Sequence, residues 1–275
     1  MWGILSWCAL AVAAMSQEPI ADEGLRGEIL AAVFPGAKVS VQEEKVLNDS
    51  YWNGPKGAEI LYPDVLKTEK VYRVVAPPRD HAEECAAESV ITMKHSQTRE
   101  VRFRVWGWPS RANDSVAVVQ YRFLPAQSSA ACESIVRAVH VTRREGSLHV
   151  TEALDFEMTG HIAVQRAELI ELSGDGVPQL IVETDAGGGG VRESRLAVID
   201  LASGKFEKWL NVLSRSRLWN EPDEEFTQVL DVERTRASHG TQFCFTRTLF
   251  AEKGTWLHPS RRSDRCYSKS GAVTQ

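Results

Sequence analysis

The chain has 275 residues, of which 43% are apolar and 25% charged, and carries a formal net charge of -5 at pH 7. That composition supports a buried core in one large or two small domains and excludes a chain that is mostly disordered. The acidic balance also argues against a dedicated nucleic-acid binder, whose affinity comes from cations that neutralise phosphates.

Met1 to Ser16 is apolar and uncharged. It reads as a secretory leader, with Ala14-Met15-Ser16 at the cleavage position and Gln17 as the first mature residue, although it lacks a basic n-region. No run of about 18 apolar residues follows, so no transmembrane helix is expected. Trp7 before Cys8 is too large for a lipoprotein signal. Removing the leader leaves Cys85, Cys132, Cys244 and Cys266. In an exported chain these four imply two disulfides, with three connectivities open. With no Cys-x-x-Cys, neither a zinc ribbon nor a thioredoxin-type site is expected.

An amphipathic helix is expected over 22–34, capped by Asp22, striped by Leu25, Ile29 and Val33, and stopped by Pro35-Gly36. It is expected to cover one face or edge of a sheet. Strands follow at Lys38–Leu47 and Val71–Ala76, separated by an Asn53-Gly54-Pro55 loop, and Asp80–Glu88 suggests a short helical stretch. Glu100–Trp108 alternates, with Val101, Phe103 and Val105 on one face and Arg102, Arg104, Trp106 and Trp108 on the other. The second face is expected to be half exposed, with cation–π stacking favoured over a carbohydrate or anion platform. A short polar loop leads to a strand at Val116–Phe123, which closes a hairpin.

Val136–Arg143 and Leu148–Phe156 form a second hairpin about Glu145-Gly146. That register puts Val139, Val141, Leu148 and Val150 on one face, and His140 and His149 on the other as diagonal neighbours. Two histidines without a third ligand make surface residues a better expectation than a metal site.

Four strands are then expected in succession, at Ala163–Leu172, Pro178–Asp185, Val191–Leu201 and Lys205–Leu213. Their connections are a Gly-Asp-Gly turn, the Gly187–Gly190 loop and Ser203-Gly204, which describes an up-and-down antiparallel sheet. Glu171-Leu172-Ser173-Gly174-Asp175-Gly176-Val177-Pro178-Gln179 followed by an apolar strand resembles the FG-GAP/VCBS repeat, the calcium-loop blade of integrin alpha-type propellers. The resemblance covers about 165–212. It implies a metal loop with Glu171, Ser173, Asp175 and Gln179 at the side-chain ligand positions and a backbone carbonyl near Val177. Ser173 and Gln179 are neutral, and affinity for a hard cation falls with ligand charge, so no cofactor is expected. The alternative is that Asp175 holds the turn by bonding local amides while Gly174 and Gly176 take unusual dihedrals. No second copy of the motif occurs, so a complete propeller is not expected. The Gly187–Gly190 run precedes no helix and no Gly-Lys-Ser/Thr, which makes a hairpin loop a better expectation than a phosphate cradle.

Strands at Phe226–Arg234, Gln242–Glu252 and Thr255–His258 complete the chain, and Arg261, Arg262, Arg265 and Lys269 make a basic, solvated end. A two-residue turn at Lys253-Gly254 would set Phe243 opposite Asp264, leaving Cys244 one position and Cys266 two from register. A bulge near Pro259 would correct the offset and join Cys244 to Cys266. Cys85 and Cys132 pair by elimination.

The expected fold is mainly β (α+β with few helices), with antiparallel meander sheets in a partial-propeller or sandwich-like arrangement and one N-terminal amphipathic helix. The expected divisions are a leader at 1–16, an N-terminal β-rich part at 17–160 and a C-terminal antiparallel β part at 161–275. Without Gly-x-Ser-x-Gly or His-Glu-x-x-His, the expected function is a secreted or periplasmic, non-catalytic binding or envelope-associated protein with a protein or glycan partner. Two alternatives stand beside it. One is an exported hydrolase using paired carboxylates, with Asp185 as the first candidate, and the other is a small-ligand carrier with a barrel-like cavity.

Overall fold

The computed structural model describes residues 16–44, 69–75, 98–124, 134–156, 161–188, 191–218, 225–253, 256–269 and 273–274. The chain is mainly β. Strand β1 (Ser16–Gln17) is followed by helix α1 (Glu23–Val33) and by β2 (Lys38–Glu44), β3 (Glu69–Val75), β4 (Thr98–Trp108), β5 (Arg111–Leu124), β6 (Ser134–Arg144) and β7 (Ser147–Asp155). Then come β8 (His161–Glu171), β9 (Pro178–Gly188), β10 (Val191–Asp200), β11 (Glu207–Leu218) and β12 (Phe226–Leu230). Helix α2 (Val232–Ala237), β13 (Gln242–Lys253), β14 (Trp256–Ser268) and β15 (Val273–Thr274) complete the order. Among the described residues no helix is long and apolar enough to cross a membrane.

Strands β2 to β7 form a six-stranded antiparallel meander, and β8 to β15 form a second meander whose free edge at β8 is joined by β1. The chain changes sheet between Asp155 and His161. The expected leader residues 1–15 lie outside the described residues, and a cut between Ser16 and Gln17 falls within β1. Past that point the chain is tied to both sheets. Gln17 pairs with Leu169 of β8, its carbonyl accepts from Trp106 Nε1 (3.1 Å), and Ile20 N donates to Val105 O (2.7 Å).

Helix α1 starts where Asp22 accepts from the Leu25 amide (2.8 Å) and ends at Phe34, before Pro35-Gly36. Ile29 and Leu30 are fully buried, with Leu25 and Val33 packed beside them, against Val101, Phe103 and Val105 of β4 and Val139 and Val141 of β6. The opposite face of β4 is part exposed at Arg102 and Arg104 and buried at its Trp end. Trp106 and Trp108 are 1% and 3% exposed and pack with Val116, Val118, Val136 and Ala138 against Leu169, Leu180, Val182, Ala197, Ile199 and Leu201 of the second sheet. Arg104 donates across the same interface to Ala167 O (3.2 Å). The two sheets therefore make a sandwich capped on one side by α1. Of the Arg/Trp face of β4, expected to be half exposed, Trp106 and Trp108 lie in the interior while Arg102 and Arg104 stay part exposed, because alternation marks two faces without saying what lies above each.

The turn at Glu145-Gly146 has the two positive φ angles (51° and 82°) of a tight hairpin, and Val141 faces Val150 as expected. Phe226–Arg234 is not one strand. Asp231 breaks it by accepting from the Arg234 amide (2.9 Å), and α2 follows. The last hairpin holds Cys244 opposite Cys266, with their sulfurs 2.04 Å apart. Its register shift falls between Leu249 and Phe250, beside Pro259, as expected. The turn itself differs from expectation, since Lys253 pairs with Trp256 and Lys253-Gly254 is not the connection. Cys85, Cys132, the Asn53-Gly54-Pro55 loop and the stretch Asp80–Glu88 lie outside the described residues.

Candidate functional site

Three polar constellations lie on this frame. The first is a cleft of about 590 Å³ at one end of the sandwich, lined from the first sheet by Arg111, Asp114, His140 and Arg144 and from the β10–β11 turn of the second by Gly204 and Lys205. Local geometry builds it. Trp108 pairs with Arg111 across a two-residue turn, yet Gly107 pairs with Ser115, so Ala112, Asn113 and Asp114 have no partner on β4. All three line the cleft. A bulge of this kind re-aims side chains at the end of a strand. On β6, His140, Thr142 and Arg144 share a face by the two-residue period of a strand, and all three line the same cleft.

At its floor, His140 Nε2 lies 2.8 Å from Asp114 Oδ2, with the two side chains 4% and 6% exposed. The acceptor-only carboxylate fixes the tautomer, so Nε2–H donates. Trp108 stacks on the imidazole (ring centroids 3.9 Å apart, 33° between planes) and donates from Nε1 to Leu201 O (2.9 Å). Arg111 NH1 lies 3.6 Å from the same Asp114 oxygen, and its guanidinium rests on Gly204. A Cβ at Gly204 would come 2.0 Å from the Arg111 guanidinium and displace it, and φ there is +80°, a conformation that favours glycine. Thr142 Oγ1 approaches the nitrogen that already serves Asp114 (3.5 Å). The two ring nitrogens of His140 are therefore not divided between an acid and a hydroxyl, as activation of a nucleophile requires. His149 shares the β6–β7 face of His140 but is exposed and does not line the cleft. The partner of His140 is Asp114, which lies in β5 and not in the polar loop expected between Trp108 and Val116.

The second constellation is the Glu171–Gln179 turn, where the structure brings all four expected residues together. Ser173 Oγ donates to Asp175 Oδ1 (2.5 Å), which also accepts from the Val177 amide (2.9 Å), and Glu171 Oε1 accepts from the Gly174 amide. Gly174 and Gly176 have φ near +80°. Gln179 Nε2 donates to Ser173 Oγ (3.1 Å) and to Val177 O (2.7 Å), while its Oε1 accepts from the Leu172 amide (2.8 Å). The amide nitrogen thus engages the same hydroxyl and carbonyl that a calcium loop would direct at its ion. Arg236 of α2 closes the outside, 3.1 Å from Glu171 Oε2, and donates to Glu171 O (2.7 Å). Burial pushes the Asp175 carboxyl up, but Ser173 and the amides of Val177 and Asp175 outweigh it and hold it below its ordinary value. Among the described residues no group of three or more His, Cys, Asp or Glu is placed to hold a metal ion.

This turn is expected to behave as a hydrogen-bonded structure in its own right. Asp175→Ala removes two local acceptor contacts and should cost about 1 kcal/mol. The loss should be the same with EDTA as with millimolar calcium, and calcium should leave the wild-type melting temperature unchanged. Thermal melts of both proteins in both buffers check this; a calcium-dependent rise that Asp175→Ala abolishes would overturn it.

The third constellation lies on the face of the second sheet turned away from the sandwich interior. Glu183 and Asp185 stand two apart on β9. Asp185 accepts from Ser194 (3.0 Å), and Glu183 accepts from Ser214 (2.6 Å). Burial raises the Glu183 carboxyl above its ordinary value and Asp185 adds to the rise, while Ser214, Arg166 and Arg215 pull it down. Gly187 and Gly188 are paired strand residues rather than an open loop.

No family model, curated protein or solved structure matches this chain.

Proposed function

We propose that this chain is a secreted or periplasmic, non-catalytic β-sandwich binding protein whose ligand seat is the cleft between the β4–β5 bulge and the β10–β11 turn. The observation that carries the reading is the cleft itself. About 590 Å³ of space lies over a buried His140–Asp114 pair, with convergent polar side chains supplied by both sheets. Binding sites for small molecules have this size and place their few orienting polar groups on rigid elements. The leader-like segment 1–16 and the Cys244–Cys266 pair support export. On this reading the Glu171–Gln179 turn is a relative of the FG-GAP loop in which an amide stands where a carboxylate would bind calcium. The convergence of Glu171, Ser173, Asp175 and Gln179 supports that descent.

A second reading, hydrolysis by paired carboxylates, has Glu183 beside Asp185 in its favour, since one carboxyl held toward its protonated form next to another suits acid–base work. One experiment separates the two. Thermal melts against a panel of acidic, neutral and basic small molecules should find compounds that raise the melting temperature of the wild type but not of Thr142→Trp, which fills the cleft. The same samples are assayed on aryl glycosides. No stabilising compound, or stabilisation that survives Thr142→Trp, would overturn the binding reading. Turnover lost in Asp185→Asn would move the function to the carboxylates.

A further inference from the structure

We infer that the cleft takes a small oxyanion, the carboxylate or phosphate group of its ligand, and this rests on the reading of the cleft as the ligand seat. The cleft is lined by Asp114 and Glu152 among acids, and by Arg111, Arg144 and Lys205 among bases. Both acids face inward to partners in the protein. Asp114 Oδ2 serves His140 at 2.8 Å and Arg111 at 3.6 Å. Glu152 Oε2 accepts from the Phe206 amide (3.1 Å), which ties β7 to the β10–β11 turn. A carboxylate satisfied by internal donors is a poor acceptor for a ligand.

The bases differ. Arg144 at the end of β6 and Lys205 in the β10–β11 turn are exposed, and neither has an acidic partner among the described residues. Arg111 is half exposed and spends one edge of its guanidinium on Asp114. A guanidinium has five donors in a planar fork, so the other edge remains for a second oxyanion. Three cations thus reach one cleft, from β5, β6 and the β10–β11 turn, within a chain whose net charge is -5. With the two engaged carboxylates counted, the lining carries a net charge of +1 (three bases less two acids), and a concave site with excess positive charge concentrates anions. Thr142 lines the same cleft and offers a hydroxyl to an acceptor oxygen. Fork geometry in Arg111 and Arg144 fits carboxylate and phosphate alike, and the ammonium of Lys205 adds a point charge.

The test uses the full chain and isothermal titration with inorganic phosphate, sulfate and galacturonate, with galactose and spermidine as neutral and cationic controls. The expected result is saturable binding of at least one anion at 50 mM NaCl, weakened tenfold or more in Arg144→Ala/Lys205→Ala and by a rise to 300 mM NaCl. Galactose and spermidine should not bind. Phosphate without galacturonate would assign a phosphorylated ligand, and galacturonate without phosphate an acidic sugar; either supports the inference. Equal anion affinity in the double variant, or no anion binding, overturns it. If instead a neutral compound binds and Thr142→Trp abolishes that binding, the cleft is still the ligand seat and only the anionic assignment fails.

Discussion

Reduction of the Cys244–Cys266 disulfide, or its replacement by alanine at both positions, is expected to cost about 3 kcal/mol. The value follows from the 22-residue separation of the two cysteines, because the crosslink removes loop-closure freedom from the unfolded chain. Their surroundings make the loss more than a matter of chain entropy. Cys244 is 4% exposed, between Phe243 and Phe245, and its amide donates to Thr235 of α2 (3.0 Å). Its carbonyl accepts from Asp231, the residue that caps the same helix (2.8 Å). Loosening this pair therefore acts on the short helix whose Arg236 closes the Glu171 turn. The measurement is urea unfolding of wild type, oxidised and reduced, beside Cys244→Ala/Cys266→Ala. A loss below about 1 kcal/mol in both, or no free thiols released on reduction, would show that the crosslink is not formed.

The hairpin that holds this pair was largely legible in the sequence, and the reason is local. The two strands are close in sequence, so their pairing can be counted: a turn at Lys253-Gly254 sets the count two short of the observed Lys253–Trp256 pairing, and the slip beside Pro259 supplies the third position that brings Cys244 opposite Cys266. The same holds for the α1 boundaries, since Asp22 and Pro35-Gly36 act within one helical turn. The cleft was not legible, because its parts meet through space. His140 stood out, but its partner Asp114 lies on β5, and the segment linking β5 to β6 is too long for register to be counted from a turn. Pro109 to Ser115 is polar and reads as an open loop, whereas it is a two-residue turn followed by a bulge. Helix α2 has only six residues, fewer than two turns, and gives no period to detect; its one signal is Asp231 before Glu233. Glu171 to Gln179 was legible as a turn because its polar residues bond one another over at most six positions. Gln179 departs from the resemblance in a way that only geometry explains, through the two hydrogen bonds its amide donates.

Trp108→Ala is expected to cost about 3–5 kcal/mol. The indole is 3% exposed and sits where three things meet: the interior of the sandwich, the β10–β11 turn and the floor of the cleft. It packs in one cluster with residues of both sheets, so truncation opens a cavity at their interface that neither rigid sheet can collapse to fill. It also contacts Phe206 (ring centroids 5.7 Å apart) and supplies the flat surface that holds the His140 ring in line with Asp114. The hydrogen bond to Leu201 is the smaller part of the loss, because that carbonyl also accepts from the Gly204 amide (3.1 Å) and is not orphaned when the indole goes. Trp108→Phe separates the contributions. It keeps an aromatic ring at the interface and removes the indole donor, so it should cost only about 1–2 kcal/mol. Urea unfolding of the three proteins checks the ordering. Equal losses in the two variants would assign the energy to the Leu201 bond. A loss under about 1 kcal/mol for Trp108→Ala would mean that the sheets do not meet over this side chain.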